Sequence, residues 1–250
     1  MTRWSAWPRC SGSAERVTAA DSVPLRAVLF DAGNTLLFLD YARMAVAVGR
    51  ALGVPLSGPR LAAGSRAATL AMERERAGDR ERATAYLETL FVEAGVPSGR
   101  LDEVRSCLAR LHGERHLWSG VADDTHDALA RLRAAGLRLG VVSNSDGRAE
   151  EALAAAGLRD YFDVVIDSTL AGVEKPDPAI FRAALDALGV PPAQALYVGD
   201  LYEVDVIGAR AAGMPAVLLV PPGSPPPGGC ATVGSLGALA DDLLKERLAS

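Results

Sequence analysis

Short apolar runs alternate with longer amphipathic stretches along most of the chain. Leu25-Arg26-Ala27-Val28-Leu29-Phe30 is the first run, stopping at Asp31 and the turn pair Gly33-Asn34. Similar runs follow at Leu137 to Val142, Val164 to Ile166, Ala195 to Val198 and Ala216 to Val220. Short continuous runs bounded by turn residues read as strands buried on both faces. Between them apolar residues recur three and four positions apart, at Ala128 to Ala135, Ala149 to Ala156, Ala179 to Leu188 and Val204 to Ala212. That is the period of a helix packed by one face. Strand alternating with helix predicts an α/β fold, a Rossmann-like parallel sheet core in three α/β/α layers.

Residues 39–118 break the alternation. They hold no convincing strand and several helical patterns, punctuated by Gly53-Val54-Pro55, Gly78 and Gly95-Val96-Pro97. A smaller helical domain inserted after the first strand is expected there, leaving residues 25–38 and 119–250 for the core. Residues 1–24 have a different texture, with Trp4, Trp7 and Pro8 before a Ser/Gly/Ala stretch. They lack the apolar segment of a secretory signal, so a disordered N-terminal extension is expected. Pro221 to Gly229 reads as a stiff, helix-free loop, and Leu236 to Leu248 as a closing amphipathic helix.

Composition narrows the function classes. Aromatic residues are only 5% of the chain, so aliphatic side chains must build the core. A net charge of −5 argues against a nucleic-acid groove or an anionic membrane surface as partner. No apolar run approaches the ~18 residues needed to span a bilayer. Cys10, Cys107 and Cys230 are odd in number and far apart, unlike a disulfide framework or zinc cluster. A reducing, cytoplasmic location is the expectation. Monomer and homodimer both remain open. Of the 26 basic residues, only Lys175 and Lys245 are lysines.

In open parallel sheets, ligands sit at the carboxyl ends of the strands. There the sequence places Asp31, then Ser143-Asn144, then Gly199-Asp200 with Asp205 close behind. Lys175 lies in a loop just before a helix. A strand-end Asp can simply cap the next helix. Three carboxylates converging on one edge would instead repel one another without a cation, and clustered hard oxygens suit Mg²⁺. With that ion, Lys175 and the Ser143 hydroxyl could hold a dianion such as phosphate.

Four motifs stand in order: Phe-Asp-Ala-Gly-Asn-Thr-Leu from Phe30, Val-Val-Ser-Asn from Val141, Glu-Lys-Pro-Asp-Pro-Ala-Ile-Phe from Glu174, and Val-Gly-Asp-Leu-Tyr-Glu-Val-Asp-Val-Ile-Gly-Ala-Arg-Ala-Ala-Gly-Met from Val198. Together they resemble the haloacid dehalogenase-like hydrolases, in which a helical cap commonly follows the first motif. The resemblance implies that Asp31 is a nucleophile forming an aspartyl-phosphate. It implies Mg²⁺ held by Asp31, the Gly33 carbonyl and Asp200, with Asp205 in support, and a phosphoryl group bound by Ser143, Asn144 and Lys175. The implied partner is a small phosphorylated substrate.

One position departs. Phosphatases of the family carry a second aspartate two places after the nucleophile, as general acid and base. Here that place is Gly33, so weak or specialised turnover is expected. Asp40, Tyr41, another cap residue and the substrate itself are candidate substitutes. Loss of catalysis, leaving a metal- and phosphate-binding protein, is the alternative. Haloacid dehalogenation is disfavoured, because Asp200 and Asp205 would oppose an anionic substrate without a metal. The family's phosphonate-cleaving members use a cap lysine as Schiff base, and residues 39–118 contain none.

Other polar clusters have simpler readings. His112 and His116 sit four apart on an expected helix, but Gly113 stands where a zincin needs Glu, so a helix surface is expected. Glu73 to Arg82 alternates charge like a solvated helix face, from which an arginine could bind substrate. Asp146 and Glu174 flank the motifs as supporting acids or helix caps.

Overall fold

A computed structural model of the chain describes residues 24–74, 79–220 and 230–248. The expected N-terminal extension up to residue 23, the loop Pro221 to Gly229 and the middle of the charged run, 75–78, lie outside the described residues. The chain divides into two compact units. One combines the chain up to Phe38 with the chain from Val121 onward; the other is Leu39–Gly120.

The first unit is built on a six-stranded sheet: β1 (Ala27–Phe30), β4 (Arg138–Ser143), β5 (Val164–Asp167), β6 (Ala195–Gly199), β7 (Ala216–Leu219) and β8 (Thr232–Val233). The order is β5-β4-β1-β6-β7-β8, and every pairing is parallel. All four residues of β1 are buried, as a continuous Ala-Val-Leu-Phe run between two neighbours requires. Chain order reverses about β1, which pairs with β4 on one side and β6 on the other. That reversal makes a topological switch point, where carboxyl-end loops part to leave a crevice. β8 is two residues long and was not expected from the sequence.

Helices α6 (Thr125–Ala134), α7 (Ala149–Ala155), α8 (Ser168–Ala171), α9 (Pro178–Leu188), α10 (Ile207–Ala211) and α11 (Leu236–Leu248) belong to the same unit. On α9, Ile180, Phe181, Ala184, Leu185 and Leu188 form one buried stripe. They join Leu29, Val142, Tyr197 and Val206 in a continuous core. Asp177 caps α9, accepting from the Ala179 N–H at 2.8 Å. The expected helix Val204 to Ala212 is divided: Tyr202–Val206 forms a turn of π-helix and α10 follows. Single π turns often mark functional sites. Here Asp205 turns back and accepts from the Leu201 N–H at 2.9 Å.

The second unit comprises α1 (Tyr41–Leu52), α2 (Gly58–Ala63), α3 (Ser65–Arg74), α4 (Asp79–Glu93) and α5 (Leu101–Glu114). Asp40 caps α1 by accepting from the Arg43 N–H at 3.0 Å, and Gly53 ends it in a left-handed conformation. Met44, Ala45, Val48 and Leu52 of α1 and Val104, Cys107, Leu108 and Leu111 of α5 are buried at helical spacing. Where the chain passes between units, β2 (Phe38–Leu39) and β3 (Trp118–Gly120) pair. α5 stops at Glu114 because Arg115 is extended, so His116 lies beyond the helix expected to carry both histidines. No helix among the described residues is long and apolar enough to cross a membrane.

Candidate active site at the carboxyl edge of the sheet

The loop after β1 stands at this carboxyl edge. The Asp31 N–H donates to the Val198 carbonyl at 2.8 Å, extending the β1 ladder by one residue. The Ala32 carbonyl then accepts from both Leu36 and Leu37, closing a tight loop with Gly33 and Asn34 at its tip. Asn34 adopts φ 54°, a left-handed conformation that asparagine tolerates better than most residues.

Asp31, Lys175 and Asp205 are only 7%, 3% and 1% exposed. The Lys175 ammonium donates to Asp31 Oδ1 at 2.5 Å, Asp205 Oδ1 at 2.8 Å and the Tyr197 hydroxyl at 3.0 Å. Its three protons are thus spoken for. Asn144 fixes the lysine's backbone: its Oδ1 accepts from the Lys175 N–H at 2.8 Å and its Nδ2 donates to the Lys175 carbonyl at 3.1 Å. The Asn144 side chain is therefore committed to the Lys175 peptide, and what it offers a ligand is its backbone N–H.

Ser143 ends β4 and is buried. Its hydroxyl makes only a long 3.5 Å contact to the Asn144 carbonyl, so its donor is nearly unspent. Gly199 ends β6 where a Cβ would lie 2.3 Å from the Asp205 carboxyl carbon. Only glycine lets Asp205 fold against the strand and take Lys175 on one oxygen and Leu201 on the other.

The electrostatics follow from burial and crowding. Burial pushes Asp31 up from 3.8 to about 6; Lys175 pulls it down and the Asp205 charge adds to the rise. Asp200 is raised well above the ordinary carboxylate range by burial first, then by the charges of Asp31 and Asp205. Lys175 and a hydrogen bond from Asn34 oppose that rise. Burial pulls Lys175 down, but the charges of Asp205 and Asp31 outweigh it and hold the ammonium well above its usual range.

One oxygen each from Asp31, Asp200 and Asp205 lies within 4.8 Å of the others. Three carboxylates against one ammonium leave a formal charge of −2, which a divalent cation would cancel. An all-oxygen set suits a hard ion of the Mg²⁺ class. Because both oxygens of Asp205 already accept protein donors, Asp31 and Asp200 have the freer ligand atoms.

A family model described as haloacid dehalogenase-like hydrolase matches residues 25–213. The chain belongs to the haloacid dehalogenase-like hydrolases. Phosphatase MT3486 of Mycobacterium tuberculosis is 32% identical over 219 residues, 87% of this chain and 97% of that protein. Haloacid dehalogenase-like hydrolase domain-containing protein 3 of Bos taurus is 49% identical over 87 residues, 35% of each chain. The match thus spans about a third of that relative's length. A HAD phosphatase from Thermococcus onnurineus shares the fold at a TM-score of 0.57 and 28% identity, covering 88% of this chain and 98% of its own. A 2-haloacid dehalogenase from Pseudomonas syringae pv. Tomato DC3000 does so at 0.54 and 26%, covering 89% and 99%. Family membership alone therefore does not choose between the two chemistries; the residues at the sheet edge must.

The fold gathers Asp31, Lys175, Asp200 and Asp205 in one cluster, and Ser143 ends the strand beside β1 with Asn144 directly after it. Asp146 and Glu174 are exposed, and Asp146 pairs with Arg148 at 3.1 Å. Neither caps a helix. The loop after β4 is instead held by Asp167, which the sequence reading missed: it is buried and accepts from the N–H groups of Gly147, Ala149 and Thr169. Tyr197 was missed too, although a hydroxyl-bearing aromatic inside an aliphatic strand is a visible irregularity. Of the proposed substitute acids, Asp40 accepts from Arg43 and pairs with Arg115 at 3.0 Å. The Tyr41 and Tyr86 hydroxyls lie 3.3 Å apart.

Proposed function

We propose that the chain is a Mg²⁺-dependent phosphohydrolase acting on a small soluble phosphate ester through an aspartyl-phosphate at Asp31, with residues 39–118 as its cap. The observation that carries this reading is the buried cluster with its formal charge of −2. Without a cation, only a proton relieves the crowding of Asp200 by Asp31 and Asp205, and metal-free dehalogenation would leave that third carboxyl without a role. A Mg²⁺ ion held by Asp31, Asp200 and the Gly33 carbonyl would supply charge neutralisation at the phosphoryl oxygens.

The other steps belong to the chain. An Asp31 carboxylate oxygen attacks phosphorus, and the ester oxygen departs with the bonding electron pair. Lys175 and the Ser143 hydroxyl hold two of the phosphoryl oxygens, and the Asn144 N–H is a further donor. Water then attacks the phosphorus of the aspartyl-phosphate, the P–O bond to Asp31 breaks with its electron pair going to the carboxylate, and one water proton ends on a phosphoryl oxygen as dihydrogen phosphate leaves. Gly33 contributes a carbonyl but no acid, and Asp205 is committed to Lys175 and Leu201. The departing oxygen thus receives no proton from the nucleophile's own loop, which favours leaving groups that need none. Aryl phosphates should be better substrates than sugar phosphates.

Phosphate release from p-nitrophenyl phosphate tests the proposal. The expected result is Mg²⁺-dependent turnover that stops on chelation and falls by at least ~10³-fold in Asp31→Asn. Halide release from a 2-haloacid without metal would overturn it in favour of dehalogenation. Thermal stabilisation by Mg²⁺ and phosphate with no turnover would leave a binding protein.

A further inference from the structure

We propose that Tyr197 is the positioning residue for Lys175, holding its ammonium in the orientation that the phosphoryl group meets. This rests on the phosphohydrolase reading for its consequence, but not for its geometry. The ammonium has three N–H bonds and three protein acceptors: Asp31, Asp205 and the Tyr197 hydroxyl, at 2.5, 2.8 and 3.0 Å. A phosphoryl oxygen arriving at Asp31 can be bound only if one of those contacts is given up. Losing the Asp31 contact keeps the freed N–H directed at the reacting centre. That works only while the other two contacts hold the nitrogen in place.

Asp205 is one of the remaining anchors and Tyr197 is the other. The hydroxyl of Tyr197 is itself fixed, because it donates to the Val142 carbonyl at 3.1 Å and so turns a lone pair toward the lysine. A second acceptor, Asp205 Oδ1, stands 3.2 Å away and closes the triangle. The ring is fully buried, edge-on to Phe181 with centroids 4.9 Å apart. Phenylalanine would keep that packing and remove only the oxygen. With a single anchor left, the ammonium can rotate and swing about its bond to Asp205.

The two lysines of the chain make this measurable. In the full-length protein labelled with [15N]lysine, ammonium signals arise from Lys175 and Lys245 alone. Lys245 is exposed and serves as the internal reference. The expected result is slow hydrogen exchange at the Lys175 ammonium in the wild type. In Tyr197→Phe exchange should be faster and kcat on p-nitrophenyl phosphate about tenfold lower, with KM little changed and the melting temperature lowered by only a few degrees. A Lys175 ammonium that exchanges as fast as Lys245 in the wild type would overturn the proposal without any variant. So would a folded Tyr197→Phe protein with unchanged exchange, or one with faster exchange and undiminished kcat. A wild type that turns over no phosphate ester fails the phosphohydrolase reading instead, and the exchange rates still decide whether Tyr197 anchors Lys175.

Discussion

Within Leu39–Gly120, charge is paired at the surface: Arg100 with Glu103, Arg105 with Glu88 and Asp102, Arg110 with Glu114, Arg115 with Asp40. The other unit has surface pairs as well, such as Arg131 with Asp241, but it also takes charge inside. Every buried polar or charged residue among the described residues lies there: Asp31, Thr35, Thr125, Ser143, Asp167, Lys175 and Asp205. Four of the seven stand at the carboxyl edge of the sheet as the cluster's own members or its neighbour, Ser143. Surface pairs contribute little to stability, because water screens them and two long side chains must be ordered. Burying ions is costly, and an apolar set of the same shape is often more stable. A fold that keeps a lysine against two carboxylates at its central strand is therefore giving up stability for chemistry.

The largest test of that contrast is Lys175→Met. It leaves Asp31 and Asp205 buried without their counter-charge, so unfolding free energy in urea should fall by about 3–5 kcal/mol. A loss below ~1 kcal/mol would mean the cluster is better solvated than its burial suggests.

A second test uses pH. The carboxyl of Asp31 titrates near 3.8 when unfolded and about 6 in the fold. Between those values the folded state holds the extra proton, so stability without metal should decline as pH rises through that window, and Asp200, raised in the same direction, adds to the decline. Asp200→Asn removes one of the repelling carboxylates. Its metal-free melting temperature should rise, and the Mg²⁺ stabilisation expected of the wild type near neutral pH should be lost. A lower melting temperature in Asp200→Asn, with Mg²⁺ stabilisation intact, would remove Asp200 from the cation site.

The smallest effect belongs to the helical unit. Arg110→Ala breaks an exposed i, i+4 pair with Glu114 and should move the melting temperature by no more than ~3 °C. A larger shift would mean that the surface pairs of this unit are coupled into a network.

The sheet is legible because β1, β4, β6 and β7, buried on both faces, are written as apolar runs, and the half-buried edge strand β5 keeps Val164 to Ile166 as one. β8 is not legible, since its two residues, Thr232 and Val233, carry too little pattern. The division of the Val204 to Ala212 helix was illegible for another reason: it follows from Asp205 bonding back to Leu201, a tertiary choice rather than a periodic one. The site divides the same way. Asp31, Ser143, Lys175, Asp200 and Asp205 show themselves by residue type at strand ends and loops. Tyr197 does not, because its role is set by Lys175, 22 positions away, and Val142, 55 positions away. The residue type of Asn144 does not show that its side chain holds the backbone of Lys175, 31 positions on, which leaves its N–H for a ligand.

On the proposed function, the sheet edge holds an intact phosphoryl-transfer site whose rate is limited by one missing acid and base at Gly33. Gly33 is not among the glycines with positive φ, so its backbone can accept an L side chain. The direct measurement is kcat of Gly33→Asp on p-nitrophenyl phosphate and on an alkyl phosphate, with saturating Mg²⁺. The expected result is a gain of ~10²-fold or more, greatest on the alkyl ester, whose leaving group needs the proton most. A folded Gly33→Asp protein that binds Mg²⁺ but gains nothing on either ester would contradict it.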